Sequence, residues 1–246
     1  MITKAQLKEI KSLQVKKNRV QHQRFLVEGA KSVLEIINSD WQVVTLLHTS
    51  DFANKYPQLV LSDSYEKFEV STSQLESLGT FNSNDQAIAV VNCLLNTTLT
   101  IGADEYALVL DDVRDPGNLG TIIRIADWYG IDKIIASNTT AELYNPKVIS
   151  STKGSFTRVK MHYTNLEEYL SKYSGTVYGA FMEGDNVHHT KFEGGGLIVM
   201  GNESNGISES VGKFISKKLT IPQFGRAESL NVAIATAVIC DNLRRT

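Results

Sequence analysis

The residues of this chain that could do chemistry are polar groups placed just past apolar runs. In Leu108-Val-Leu-Asp-Asp-Val-Arg-Asp-Pro-Gly-Asn-Leu-Gly-Thr-Ile-Ile-Arg124 a β-type run stops at Asp111 and Asp112 and a Pro-Gly turn follows. A helix is expected to open at Asn118 and to carry Arg124 among isoleucines. An arginine at an apolar position is costly unless something pairs with it, so it is kept for chemistry or for a fixed ion pair. Asp111, Asp112 and Asp127 are the candidate ion-pair partners. Two later segments, Gly201-Asn-Glu-Ser-Asn-Gly206 and Ser229-Leu-Asn231, repeat the pattern of polar residues after an apolar run. Together the three suggest one composite site.

The elements that would position such a site alternate. From Tyr106 onward, strands are expected at 107–110, 133–136, 177–180, 197–200 and 218–221. Helices are expected at 119–129, 146–152, 166–173, 208–216 and 230–244. This alternation argues for a parallel sheet covered on both faces. Ligands of open α/β sheets bind at the carboxyl ends of strands, where the loops 111–118, 201–206 and 222–229 fall. The last helix is apolar on nearly every side. It is therefore buried all round, either within its own domain or against a partner subunit.

The first ninety residues form a smaller α/β alternation. Thr3 and Gln6 make a capping box, Ile2 and Leu7 occupy the staple positions, and Leu7, Ile10 and Leu13 keep helical spacing. A basic loop is expected over 16–24, followed by a strand at 25–27 and a helix at 30–37. The polar, Thr-rich stretch 96–104 reads as a linker, which divides the chain into domains 1–95 and 105–246.

Composition bounds the function. A chain of 246 residues, 42% hydrophobic and 21% charged, is that of a globular protein. The formal charge of −2 advertises no global basic field. Residues 1–30, however, hold seven lysines and arginines against Glu9 and Glu28, a local excess of five positive charges. Such a face can meet phosphates, or it can be an ordinary solvated helix face. Cys93 and Cys240 show no metal or disulfide spacing, which fits a reducing cytoplasm. No apolar leader is read at the N-terminus. The most apolar segment, 230–243, is too short to span a bilayer, so no membrane role is expected. His188 and His189 lack further ligand spacing and imply no metal. A dinucleotide fingerprint is missing on two counts: the G-x-G-x-x-G arrangement is absent, and the second strand ends in Ala136-Ser137 without an acidic residue. Neither a Walker lysine motif nor a G-x-S-x-G serine elbow occurs.

The segments Asp115-Pro-Gly-Asn-Leu-Gly-Thr-Ile-Ile-Arg124, Val199-Met-Gly-Asn-Glu-Ser-Asn-Gly206, and Leu219-Thr-Ile-Pro222 with Glu228-Ser-Leu-Asn-Val-Ala233 resemble, in order and spacing, the three motifs of the SpoU (TrmH-like) RNA ribose 2′-O-methyltransferases of the SPOUT superfamily. The stretch around Phe25-Leu-Val-Glu-Gly29 resembles the L30-like substrate-binding domain that often precedes that catalytic domain. The resemblance covers essentially the whole chain. It implies S-adenosylmethionine as methyl donor, no metal, a trefoil-knotted C-terminal region, and a homodimer with its site at the subunit interface. It also implies an RNA substrate, with ribosomal RNA favoured over transfer RNA because an auxiliary domain is present. A non-catalytic RNA-binding relative is the competing reading, and intact Arg124, Glu203 and Asn231 argue against it.

The same resemblance distributes roles. Gly201, Ile221 and Leu230 match the positions whose backbone holds the donor. Arg124 matches the catalytic arginine. A guanidinium with a pKa above about 12 is a poor base, so stabilising the developing alkoxide suits it better than abstracting a proton. Asn118, Glu203, Ser229 and Asn231 match positions lining the methyl-transfer site. Asn118 and Ser229 could equally serve as helix N-caps, and Glu203 as a turn carboxylate. Arg19, His22, Arg24 and Glu28 match the RNA-facing part of the auxiliary domain. Two stretches depart from the pattern. Ile125-Ala-Asp-Trp-Tyr129 is bulkier than the small residues often found after the arginine, and Phe224 could stack on a base.

Overall fold

The computed structural model describes residues 2–80 and 86–245. The chain divides into two compact units, one of Met1–Leu95 with Tyr144–Thr157, the other of Asn96–Leu143 with Arg158–Thr246.

The first unit runs α1 (Lys4–Ser12), α2 (Lys16–His22), β1 (Arg24–Glu28), α3 (Ala30–Ile37), β2 (Val43–His48), α4 (Ser50–Lys55), α5 (Pro57–Leu61), β3 (Glu66–Glu69), α6 (Thr72–Leu78) and β4 (Ala87–Asn92). The expected capping box opens α1: Gln6 N donates to Thr3 Oγ1 at 3.2 Å, and Thr3 N donates to Gln6 Oε1 at 2.9 Å. The basic stretch expected as a loop is instead largely helical. Its anchor is Arg19, only 3% exposed, whose Nη1 donates to the carbonyls of Leu13 at 3.0 Å and Gln14 at 2.8 Å. A guanidinium there satisfies carbonyls that the end of α1 leaves orphaned. Gln23, at φ 51°, then terminates α2 in the left-handed region.

The sheet order is β1-β4-β2-β3, with β4 antiparallel to both its neighbours and β3 parallel to β2. One face buries Leu26, Leu47, Ile88 and Val90 against Ile10 and Leu13 near α1 and Leu75 and Leu78 of α6. An aromatic cluster also belongs to this unit, and it explains why segment 144–157 does too. Phe25 lies 4.7 Å from Tyr144 between ring centroids, and Trp41 lies 5.6 Å from Phe156. That segment carries α8 (Pro146–Thr152), which packs on β1. The expectation of an uninterrupted second domain over 105–246 therefore gives way to one with an excursion. Residues expected to pack in the second core bury their rings in the first.

The second unit contains β5 (Tyr106–Leu110), α7 (Pro116–Trp128), β6 (Lys133–Ser137), β7 (Lys160–Thr164), α9 (Leu166–Leu170), β8 (Val177–Asn186), β9 (Gly196–Met200), α10 (Glu209–Gly212), β10 (Lys217–Thr220) and α11 (Val232–Arg245). Its six strands follow the order β10-β8-β9-β5-β6-β7, and every pairing is parallel. The central strands β5 and β9 are near-continuous apolar runs because both faces are covered. Two features escaped the pattern reading. The polar strand β7 joins the edge of the sheet beside β6, and β8 runs on to Asn186, with a register shift opposite Lys218 and Leu219. Among the described residues no helix is long and apolar enough to cross a membrane.

Phe156 is fully buried in the aromatic cluster of the first unit. Phe156→Ala is expected to destabilise that unit by about 3–5 kcal/mol, read as a lowered midpoint of its transition in urea denaturation.

Candidate active site

The site begins with a register. Leu110 at the end of β5 lies opposite Met200 at the end of β9, and Asp111 N donates to Met200 O at 2.9 Å. The loops that follow the two strands therefore emerge side by side. Asp111 is buried, and its Oδ2 accepts from Ser208 N at 2.7 Å. Asp112 stands at φ 63°, a conformation few residues other than glycine adopt. Its side chain and carbonyl repay the strain. The carbonyl accepts from Asn202 Nδ2 at 2.8 Å, and the carboxylate accepts from Arg114 Nε at 2.8 Å and from Asn202 Nδ2 at 3.2 Å. Burial alone would raise the Asp112 pKa, but hydrogen bonds from Arg114, Thr139 and Asn202 hold it below the usual carboxylate value.

Asn202 in turn shapes its own loop. Its Oδ1 accepts from Ser204 N at 2.9 Å and Asn205 N at 3.1 Å, while its backbone pairs with Gly206. Gly206 takes φ +67°, the left-handed conformation that closes the turn. Gly201 is required for a different reason. A Cβ there would collide with the Gly206 and Ile207 backbone, so only glycine lets the two strands of the loop touch. The tight turn presents Glu203.

From Glu203 a chain of amides links all three motifs. Asn118 Nδ2 donates to Glu203 Oε1 at 2.9 Å, and Asn231 Nδ2 donates to Asn118 Oδ1 at 2.9 Å. Asn231 Oδ1 accepts from Ala233 N at 2.9 Å and Ile234 N at 3.4 Å, which makes Asn231 the cap of α11. Each amide thus has a fixed orientation, set by an acceptor-only carboxylate at one end and helix N–H groups at the other. The expected caps are corrected accordingly. Asp115, not Asn118, caps α7, with its carboxylate accepting from Asn118 N at 2.8 Å. Asn231, not Ser229, caps the last helix, and Asn118 is left free to use its side chain across the site.

Arg124 departs from expectation in another way. It is exposed, on the outer face of α7 with Thr121 and Trp128, rather than embedded among the isoleucines. Among the described residues it has no hydrogen bond or ion pair. The three aspartates that might have held it are engaged elsewhere: Asp111 with Ser208, Asp112 with Arg114, and Asp127 with Arg158 at 2.9 Å. Its charge is available to a ligand. Residues 221–230 are bonded mainly within their own loop, where Gln223 Nε2 donates to Gly225 O at 3.1 Å and to Ala227 O at 2.7 Å. They make no backbone–backbone hydrogen bond among the described residues, and Ser229 is exposed. Ile221 is half-buried, and Leu230 and Phe224 are exposed. Backbone groups left open past the carboxyl end of β10 suit a ligand with its own donors and acceptors. No group of three His, Cys, Asp or Glu side chains among the described residues could hold a metal ion.

In the first unit the four expected RNA-facing residues separate. Arg19 is buried in structure, as described above, and cannot reach a phosphate. The Glu28 carboxylate accepts from Thr80 N at 3.0 Å. His22 Nδ1 and Arg24 Nη1 both form ion pairs with Glu9 Oε1 at 3.6 Å and stay partly exposed.

Residues 105–241 match the SpoU rRNA Methylase family, and residues 4–89 match an MRM3-like substrate binding domain. The chain belongs to the SpoU rRNA methylase family. It is an RNA ribose 2′-O-methyltransferase whose methyl donor is S-adenosylmethionine. Among curated relatives, it is 30% identical over 97% of its length, and 95% of the relative's, to the 23S rRNA (guanosine(2553)-2′-O)-methyltransferase RlmP of Bacillus subtilis. Among solved structures, it superposes on the SpoU methyltransferase AviRb of Streptomyces viridochromogenes in complex with AdoMet, with TM-score 0.87, 25% identity, and coverage of 99% of this chain and 98% of that one. The AdoMet-bound rRNA methyltransferase of Sinorhizobium meliloti gives TM-score 0.89 at 26% identity, covering 100% and 96% of the two chains.

The residues that sequence reasoning passed over in this site are Asp112 as a structural acceptor, and Asn202 and Arg114 altogether. The signal was present for Asn202, an asparagine flanked by Gly201 and Glu203 in a turn, where Asx hydrogen bonding to its own loop is common. Asn202→Ala would strip the Asp112 carbonyl of its donor and the Glu203 turn of its acceptor. We expect roughly 10–100-fold slower methyl transfer in a folded protein, measured as single-turnover rate alongside a circular-dichroism melt.

Proposed function

We propose that Arg124, Asn118, Glu203, Ser229 and Asn231 form the methyl-transfer site and that the substrate is ribosomal RNA. The observation that carries this reading is the Glu203–Asn118–Asn231 chain, which ties together three loops at the carboxyl ends of parallel strands while Arg124 stays unpaired. S-adenosylmethionine supplies a methyl group made electrophilic by its sulfonium. Gly201, Ile221 and Leu230 would hold it through their backbone, on two loops at the carboxyl ends of β9 and β10. The ribose 2′-hydroxyl is a weak nucleophile until its proton leaves. Arg124 donates to that oxygen as negative charge develops, a role that needs a permanent cation rather than a base. Asn118 and Asn231 fix the geometry, and Glu203 orients Asn118. The carboxylate also places negative charge in the loop next to Gly201, favourable for a cationic donor.

Ribosomal RNA as the substrate is supported by relatives named as 23S rRNA methyltransferases, RlmP among them, and by the matched substrate-binding domain. His22 and Arg24, part-exposed beside Glu9, are the residues of that domain we assign to RNA contact. The protein works as a homodimer in the cytoplasm. The dimer is supported by apolar surface left uncovered where α7 and α11 pack together: Trp128 is 83% exposed and Ile234 53% exposed. Large apolar side chains left exposed on a helix pair suit an interface. The C-terminal segment ending in α11 is the part that would thread the trefoil knot of this family.

Purified protein incubated with methyl-labelled S-adenosylmethionine and unmodified total RNA is expected to label a ribosomal RNA band. Arg124→Ala should lower the rate by roughly 10²–10³-fold while S-adenosylhomocysteine still binds. Label in transfer RNA would overturn the substrate, and an unchanged rate in the variant would overturn the role of Arg124.

Trp128→Glu places a charge in the uncovered patch. Sedimentation is expected to show a monomer where the wild type sediments as a dimer, with methylation lost in parallel. A wild-type monomer would overturn the dimer.

A further inference from the structure

We propose that a cavity in the first unit, between α1 and the open end of its sheet, receives one unpaired guanine base of the RNA. The proposal rests on the reading above only in taking RNA as the ligand. The cavity has a volume of about 300 Å³, at the lower end of the range for small-molecule sites of ~300–1,000 Å³, and it suits a single heterocycle. It lies wholly outside the methyl-transfer residues.

Its chemistry is unusual for a surface that meets RNA. Ile10, Phe68 and Val90 supply apolar walls, and the polar side chains are Gln6, Glu9, Arg24, Thr45 and Glu66. Two carboxylates repel a phosphate, so the backbone of a nucleic acid is a poor occupant. They are good acceptors for base donors. Thr45 is the more telling residue. It pairs in register with Val90 on one side and Glu66 on the other, and shares its pleat face with Leu47, which packs in the core beneath α1. Its side chain therefore points to the α1 side of the sheet, where the cavity lies. Thr45 is only 7% exposed, yet its hydroxyl has no hydrogen-bond partner among the described residues. Buried hydroxyls are normally paired, so this one is kept for something that enters. Glu9 is ion-paired with His22 and Arg24, each at 3.6 Å, whereas Glu66 is exposed and has no hydrogen bond or ion pair among the described residues, so it is the carboxylate open to a base.

Guanine matches this set better than the other bases. Its N1–H and N2 amino group present two adjacent donors to a carboxylate, and its O6 and N7 accept from an arginine. Splayed single bases held on their edges between apolar side chains are the usual currency of sequence-specific RNA recognition. Adenine lacks the paired donors, and uracil offers one donor in a smaller ring.

The test uses the full chain with methyl-labelled isoleucine and valine, titrated with guanosine, inosine and adenosine. Guanosine is expected to shift the methyl resonances of Ile10, Val44 and Val90 saturably. Inosine, which lacks the N2 amino group, should bind roughly tenfold more weakly or worse. Thr45→Val and Glu66→Gln should each weaken guanosine several-fold and leave S-adenosylhomocysteine binding unchanged. With RNA, both variants should raise KM and leave kcat at saturating RNA as in the wild type. Shifts of equal size with all three nucleosides, no shift with any, or an unchanged RNA KM in both variants would overturn the proposal. Guanosine binding by a protein that methylates no RNA would instead overturn the functional reading and leave the cavity standing.

Discussion

The structure of the second unit depends on one pairing, that of β5 with β9 in parallel register. It sets Leu110 opposite Met200 and lets Asp111 N bond Met200 O. Because the strands end level, two loops that are ninety residues apart in sequence begin at the same height. Everything polar in the site is built on that coincidence. Asp111 is buried and reaches forward to Ser208, which fixes the far side of the second loop. Asp112 holds its near side through Asn202. A shift of register by one residue would move each side chain to the opposite face of its strand and break both contacts together.

Upon this base the site has two mechanical characters. The part that joins the three motifs is over-determined: each amide of Asn118 and Asn231 is bonded at both its oxygen and its nitrogen, and Glu203 sits on a turn closed by Asn202 and Gly206. Such a chain costs little to hold in place at the moment of reaction, which is the condition for electrostatic preorganisation. The part we propose to accept ligands is the reverse. Among the described residues Arg124 has no partner, and the backbone of 221–230 is bonded only by Gln223 of the same loop. A charge already locked in an ion pair would have to give up that pair before helping a ribose oxygen. Asp127 pairs with Arg158, so the carboxylate nearest in sequence to Arg124 does not compete for it.

Much of this was legible in the sequence. The alternation of apolar runs with polar loops located the strands β5, β6, β8, β9 and β10, and the polar residues after three of them marked the loops that Glu203, Asn118 and Asn231 join. Motif order then identified the chemistry. What pattern could not supply was partnership across distance. Arg124 looked embedded because isoleucines flank it, but a helix turns each residue by about 100°, and adjacent residues face different ways. Ile122 and Ile123 point into the core while Arg124 points out. Arg19 shows the converse. It lies in the most basic stretch of the chain, where charge density suggests phosphate, yet the carbonyls ending α1 claim it. β7 was missed because its edge position leaves its alternation weak, and the excursion 144–157 because aromatic packing has no local signature.

The comparison of Arg19 with Arg124 gives a rule for reading charges in a chain such as this. An arginine is free for function when the local carbonyls and carboxylates are already satisfied, and not when they are open. Around Arg124 the helix interior meets its own hydrogen bonds, and three aspartates are taken by Ser208, Arg114 and Arg158. Around Arg19 two carbonyls of a helix end stand open, and a buried guanidinium closes them. Side-chain type and spacing nominate both residues equally. The accounting of neighbouring donors and acceptors separates them, and it is the same accounting that marks the unpaired hydroxyl of Thr45 as a group awaiting a partner.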